Sequence, residues 1–387
     1  MMRIALLTHS LRPRGGVIHT LELADALSER GHAVTVIAAA EPGEQPFRAV
    51  RHALAVIRLP ILATDLVTQV RQRIDCLTEA LPALLADGDF DIAHTQDSLG
   101  GNALATLREQ GRLALPWLRT IHHLDVFEQP VLNAWQDRAW RQADGIACVS
   151  DDWLARLREQ AGGVPVERMF NGVDLRRYGP QPAPGDDERL AALGLASDGG
   201  PVCLLVGGVE ARKNTVRLLQ AFAQLRREDP AWRTACLVIA GGASMLDHGA
   251  ARRAWDEALQ ALRLDEGPGR PVLRTGPLPD EALPALMRRA AVLAMPSLVE
   301  GFGLVALEAL ACGTPVLVSR RPPFTEHLAD EPAVAWCEPE DVDSIAAGLR
   351  EALRLPRPTA MPRVCIDHGW DRSARLHEDW YRRALIH

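Results

Sequence analysis

Two doubly wound α/β domains in tandem are the fold predicted for this 387-residue chain. Three observations carry that expectation. Short apolar runs alternate with amphipathic stretches almost throughout, the order expected of parallel sheets covered by helices. The alternation stops in a stretch crowded with proline, glycine and acidic residues between Asp174 and Pro201, then begins afresh. The length suits two cores, because single cores stop growing at roughly 250–300 residues.

Arg3 to Thr8 reads as a strand, Gly15-Gly16 as the turn after it, and Val17 to Arg30 as a helix with apolar Leu21, Leu23, Ala24 and Leu27. Gly31 stops that helix. Ala33 to Ala39 is a second, wholly apolar strand; Ile92 to His94, Leu118 to His122 and Gly145 to Val149 continue the series. The second series runs from strand Val202–Val206 through helix Thr215–Arg226, strand Ala235–Ala240, helix Ala250–Leu262 and strand Val272–Thr275. It continues with helix Glu281–Ala290, strand Ala291–Met295, helix Leu304–Ala311 and strand Pro315–Ser319. Trp370 to His387 is charged and amphipathic, a terminal helix that must pack on something already built. The expected organisation is a first domain over 1–174, a linker over 175–200, a second domain over 201–366 and the terminal helix over 367–387.

Composition narrows the function. The net charge of -7 and a pI near 6.0 argue against a nucleic-acid partner, which calls for a basic surface. No run approaches the roughly 18 apolar residues of a membrane span. Met1 to Ser10 alternates into polar residues and reads as a first strand rather than a leader segment. Seven cysteines, an odd number without CxxC or Cys/His spacing, read as buried thiols in a reducing compartment such as the cytoplasm. Lys213 is the only lysine among 43 lysines and arginines, which suggests a site that needs a compact ammonium rather than a guanidinium fork.

The chemistry concentrates just after strands, where open parallel sheets bind ligands. Pro296 to Pro315 (PSLVEGFGLVALEALACGTP) follows a strand and opens a helix. Gly301 and Gly303 permit close backbone approach, and the amides of Gly303, Leu304 and Val305 would lie at a helix N-terminus able to hold an anion. Glu300 and Glu308 cannot hold phosphate but accept hydrogen bonds from hydroxyls. Phosphate donors beside hydroxyl acceptors describe a nucleotide-sugar site. The alternative for the two glutamates is surface charge on a loop and a helix.

EGFGLVALEALACGTPV resembles the signature of retaining GT-B glycosyltransferases of family 4 (glycosyl transferases group 1), and further landmarks occur in order along the chain. The resemblance implies two Rossmann-like domains facing a central cleft, with a C-terminal helix crossing back to the N-domain. It assigns Glu300 to the donor sugar, Glu308 to the ribose and Gly303-Leu304-Val305 to the phosphates. Arg212-Lys213-Asn214, after Val206-Gly-Gly, supplies cations for the diphosphate; the commonest family pattern has Arg directly after the first glycine, where Gly208 stands here. Gly15-Gly16 lacks GxGxxG spacing, so no nicotinamide cofactor is indicated. In the family this turn approaches the donor phosphates. His122, in Thr120-Ile-His-His-Leu-Asp125, matches a histidine near the donor sugar, able to donate a hydrogen bond to the sugar or its phosphate. His123 and Asp125 could line the acceptor side. His94, Asn171 and Asp174 read as cleft and hinge architecture.

The implied reaction is transfer of a sugar from a nucleoside-diphosphate sugar to an acceptor hydroxyl with retention, without cofactor or metal; no DxD-type pair stands after a strand. A non-catalytic nucleotide-sugar binder or partner subunit is the alternative. A phosphorylase would need a second lysine, for pyridoxal. Arg48, Arg51, Arg58, Arg71 and Arg73 could touch an anionic lipid surface at the membrane, as in some family members, or form a solvated helix face. Donor base and acceptor are unassigned.

Overall fold

A computed structural model describes residues 1–195, 199–242 and 249–386. The chain divides into two compact units, Met1–Gly172 with His368–His387, and Val173–Asp367.

The first unit runs β1 (Arg3–Thr8), α1 (Gly15–Glu29), β2 (Ala33–Ala40), β3 (Ala53–Arg58), α2 (Leu66–Gly88), β4 (Ile92–Thr95), α3 (Ser98–Glu109), β5 (Trp117–Ile121), α4 (Pro130–Arg141), β6 (Gly145–Cys148), α5 (Asp151–Gln160) and β7 (Val166–Arg168). Its seven strands are parallel in the order β3-β2-β1-β4-β5-β6-β7. The order reverses between β1 and β4, so the chain leaves these neighbours in opposite directions and opens a crevice at their carboxyl ends. Burial on both faces explains the uninterrupted apolar strands.

The second unit runs α6 (Asp186–Ala192), β8 (Val202–Val206), a short 3-10 turn at Ala211–Lys213, α7 (Thr215–Glu228), β9 (Cys236–Ala240), α8 (Gly249–Leu262), β10 (Val272–Gly276), α9 (Ala282–Arg289) and β11 (Val292–Met295). It continues with α10 (Leu304–Ala311), β12 (Val316–Ser319), α11 (Phe324–His327), β13 (Val334–Cys337), α12 (Val342–Ala352) and α13 (Arg363–Asp367). Its order, β10-β9-β8-β11-β12-β13, places the switch point between β8 and β11. Trp232, Trp255 and Phe222 anchor its core.

The last helix, α14 (Trp370–Ala384), belongs to the first unit and packs along α1. Glu378 fixes it: its Oε2 accepts from Arg30 at 2.7 Å and its Oε1 lies 2.9 Å from His32 Nε2. Trp380 and Tyr381 are fully or nearly buried in the same core as Leu23 and Leu27.

Local readings change in three places. Gly15-Gly16 is the first turn of α1 rather than a turn before it. The stretch read as a linker falls within the second unit and carries α6; Asp186 pairs with Arg288 at 2.8 Å, and residues 196–198 lie outside the description, as does His387. The arginines between 48 and 73 do not share a helix, because β3 separates them. Arg48 donates to Glu22 at 2.6 Å, buried Arg73 pairs with Glu41, Arg58 donates to the Glu44 carbonyl at 2.8 Å, and Arg71 lies over the Trp135 ring. These cations are spent on the unit's own groups. All seven cysteines are free thiols. No described helix is long and apolar enough to cross a membrane.

Candidate functional site

The second unit gathers most of the expected residues, and its topology is the reason. The loops after β8 and β11 leave adjacent strands at the switch point. The Leu298 amide donates to the Arg212 carbonyl at 2.8 Å, and the Asn214 side chain donates to the carbonyls of Pro296 (2.9 Å) and Pro339 (2.6 Å), clamping the two loops together. Lys213 Nζ then lies 2.8 Å from Glu300 Oε2, with both side chains nearly buried. Arg212 Nη1 stands 3.6 Å from Glu300 Oε1, and its Nε lies 3.0 Å from Glu210. Gly207 has φ 131°, and a Cβ there would come 3.4 Å from Lys213 Cε. The backbone conformation, not lack of space, is what calls for glycine there.

Gly303, at φ 86°, caps α10, and a Cβ on it would lie 2.4 Å from Phe324 Cε1. Only glycine fits. The first amides of α10, at Leu304 and Val305, have no partner within the helix, the usual condition for anion binding at a helix start. Glu308 is 6% exposed within the otherwise apolar helix LVALEALA. A carboxylate buried in an apolar helix is kept there by specific interactions, which makes Glu308 a candidate site residue. Burial, followed by the Glu308 charge, pushes the Tyr178 phenol well above its ordinary value. Beside it, Arg177 forms a fork with Asp280 at 2.5 and 2.6 Å. Arg177, Tyr178 and Asp280 escaped the sequence reading because they lie in or near a stretch with linker composition. An Arg-Tyr pair soon after the Asn171-Gly-Val-Asp174 landmark is the signal that could have found them.

The first unit positions His122 just beyond β5, with its Nε2 3.1 Å from Gln96 Oε1. A Cβ on Gly16 would meet the His122 ring at 3.7 Å, so the glycine-opened start of α1 lies against this histidine. His19 packs edge-on to it with ring centroids 4.8 Å apart, and its Nδ1 lies 2.8 Å from Asn171 Oδ1. His377 and His94 extend the cluster. Burial, then the neighbouring His19, pushes the His122 imidazole well below its ordinary value; burial takes His19 down to about 3 and His377 to about 4. His94 is fully buried between Tyr381 and Thr120, each at 2.7 Å, a core role instead of a cleft-lining one. His123 Nε2 stands 3.5 Å from Asp125 Oδ2, both partly exposed. Among the described residues no three His, Cys, Asp or Glu side chains converge as metal ligands would.

The chain is similar to known proteins along most of its length. Residues 13–177 match Glycosyltransferase Family 4, and residues 188–369 match Glycosyl transferases group 1. A D-inositol 3-phosphate glycosyltransferase from Nocardiopsis dassonvillei is 30% identical over 312 residues, 76% of this chain and 70% of that protein. A GDP-mannose-dependent alpha-(1-6)-phosphatidylinositol monomannoside mannosyltransferase from Mycolicibacterium smegmatis is 29% identical over 96% of this chain and 97% of its own. Sucrose-phosphate synthase from Thermosynechococcus elongatus superposes over all of both chains with a TM-score of 0.79 at 24% identity. Two parallel sheets of seven and six strands with these site loops define an α/β glycosyltransferase of GT-B fold. The chain belongs to the group 1, family 4 glycosyltransferases.

Proposed function

We propose that this glycosyltransferase moves a sugar from a nucleoside-diphosphate sugar to an acceptor hydroxyl, with retention at the anomeric carbon and without a metal ion. The observation that carries the proposal is the convergence of Lys213, Arg212 and Glu300 at the β8/β11 switch point, beside the glycine-opened start of α10. Without ligand, Lys213 is neutralised by Glu300. A diphosphate would compete for the ammonium and free Glu300 to accept from sugar hydroxyls. As the bond from the anomeric carbon to the diphosphate oxygen breaks, Lys213, Arg212 and the amides of Gly303, Leu304 and Val305 would offset the developing charge. The acceptor oxygen bonds to the same face, and its proton passes to the departing phosphate. Fixed cations and backbone amides do the work that a divalent metal would otherwise do. Glu308, buried beside Tyr178, is assigned to the ribose hydroxyls. The family resemblance assigns Gly15, Gly16 and His122 to donor binding as well.

The mannosyl and inositol-phosphate relatives make a GDP-sugar and a phosphorylated or lipid-linked polyol reasonable first trials. The test is proton NMR of donor turnover in excess EDTA. The proposal expects the α-donor to give an α-linked product at undiminished rate. A β-product, or activity abolished by EDTA and restored by magnesium, would overturn retention or metal independence respectively.

A further inference from the structure

We propose that Gln96 is a positioning residue that fixes the His122 imidazole as its Nε2–H tautomer, so that the Nδ1 lone pair accepts a hydrogen bond from a substrate hydroxyl. The second half rests on reading His122 as a site residue; the first does not.

The residues concerned stand at the switch point of the first unit. Gln96 follows β4, is 4% exposed, and stands between two histidines. Its Oε1 lies 3.1 Å from His122 Nε2, and its Nε2 lies 3.1 and 3.4 Å from the Nε2 and Nδ1 of His94. His94 decides which way the amide points. That ring is fully buried, and both nitrogens are engaged in short bonds, to the Tyr381 hydroxyl and to Thr120 Oγ1. Burial, reinforced by His377, His19 and Arg119, keeps it neutral. A neutral imidazole carries one N–H and one lone pair. Its two in-plane positions are taken by those hydroxyls, and the Gln96 amide nitrogen, nearly equidistant from both ring nitrogens, lies over the ring face. That face is electron-rich and favours an N–H over a carbonyl oxygen, so the NH2 faces His94 and the carbonyl oxygen is turned to His122. A carbonyl oxygen only accepts, so His122 Nε2 must hold the hydrogen.

The rest of the His122 ring follows. Its Cδ2–Nε2 edge is covered by Gly16 and Gln96. Nδ1 lies across the ring, and its only imidazole hydrogen has gone to Nε2. His122 makes no hydrogen bond within the described residues besides that to Gln96. A lone pair at Nδ1 is repelled by phosphate oxygens, which only accept, and is matched by a hydroxyl. His122 thus reads a sugar hydroxyl instead of a phosphate, the opposite polarity from the donor role that the sequence suggested.

The test is nitrogen-15 NMR of protein labelled at histidine, with His122 assigned from the His122→Asn variant. The wild-type spectrum is expected to show His122 protonated at Nε2 with no ligand present. A spectrum with Nδ1 protonated overturns the proposal, whatever the activity. Gln96→Leu keeps the volume and removes the acceptor. It is expected to give mixed tautomers and to slow donor hydrolysis, followed with a panel of UDP-, GDP- and ADP-sugars, by about tenfold or more in kcat with little change in KM. An unchanged His122 spectrum in this variant equally overturns it. If His122→Asn hydrolyses every active donor as wild type does while the tautomer is as stated, the substrate half fails and the positioning role stands.

Discussion

Acidification should unfold the first unit well before its carboxylates protonate, because four imidazoles are buried together. His19, His122, His377 and His94 pack with neighbouring ring centroids 4.8 to 5.9 Å apart. Burial holds His19 down at about 3 and His377 at about 4. In the unfolded chain each would titrate near 6.5. Between about pH 6.5 and those folded values the unfolded chain binds protons that the folded chain refuses. The associated stability is therefore complete above 6.5 and is lost as the pH falls. At about 1.4 kcal/mol per pH unit per group, moving from pH 7 to pH 5 costs about 2 kcal/mol for each imidazole, about 4 kcal/mol for His19 and His377 together. His94 and His122 shift in the same direction. Losses of this size are a large fraction of the roughly 5–15 kcal/mol that holds a native protein. Urea unfolding followed by tryptophan fluorescence at pH 7, 6 and 5 measures the effect, since Trp370 lies 5.2 Å from His19. His377→Phe keeps an aromatic ring, removes one titration, and should lessen the pH 7-to-5 loss by about 2 kcal/mol. A loss below about 1 kcal/mol in the wild type, or the same loss in His377→Phe, would refute the reasoning.

Three further outcomes follow from packing and charge. Glu378→Gln removes the carboxylate that holds Arg30 and His32 and should destabilise the first unit by about 3 kcal/mol in thermal unfolding, as breaking a nearly buried ion pair does. Its arginine partners and His32 hold that carboxyl at about 2, so its share of stability is present above roughly pH 4.5 and lost as the pH falls towards 2, a window that overlaps only the lower end of the histidines'. Gly303→Ala places a Cβ at φ 86° against Phe324, which should cost at least about 1–2 kcal/mol and weaken nucleotide binding by disturbing the start of α10. Lys213→Ala should slow donor turnover by about 100-fold or more, and Lys213→Arg should not restore it, because a planar guanidinium does not reproduce the compact ammonium that sits 2.8 Å from Glu300; steady-state hydrolysis of the donor checks both.

Most of the frame was legible because the signals were local. Fully buried parallel strands wrote themselves as apolar runs, and the loops after β8 and β11 carried glycine where backbone conformation demanded it, at Gly207 and Gly303. Lys213, Arg212 and Glu300 could be named separately from such turns. That they meet depends on the β8–β11 adjacency, which no local pattern encodes. The edge strand β3 escaped because only Ile57 is buried and its residues show no in-out alternation. The arginines from 48 to 73 misled for a related reason. Their partners Glu22 and Glu41 lie far away in sequence, so buried ion pairs looked like a solvated face. Gln96 was invisible because a single polar residue beside a strand acquires meaning only from what packs against it.

The measurement that bears most directly on the nucleotide-sugar site is thermal stabilisation by UDP, GDP, ADP and their sugar conjugates, for wild type, Lys213→Ala and Glu308→Ala. A ligand present at 100 times its Kd adds about 2.7 kcal/mol to the unfolding free energy, a shift of several degrees. One nucleotide should stabilise the wild type, with a shift that shrinks in both variants. Stabilisation of equal size in all three proteins would place the nucleotide elsewhere and contradict the site.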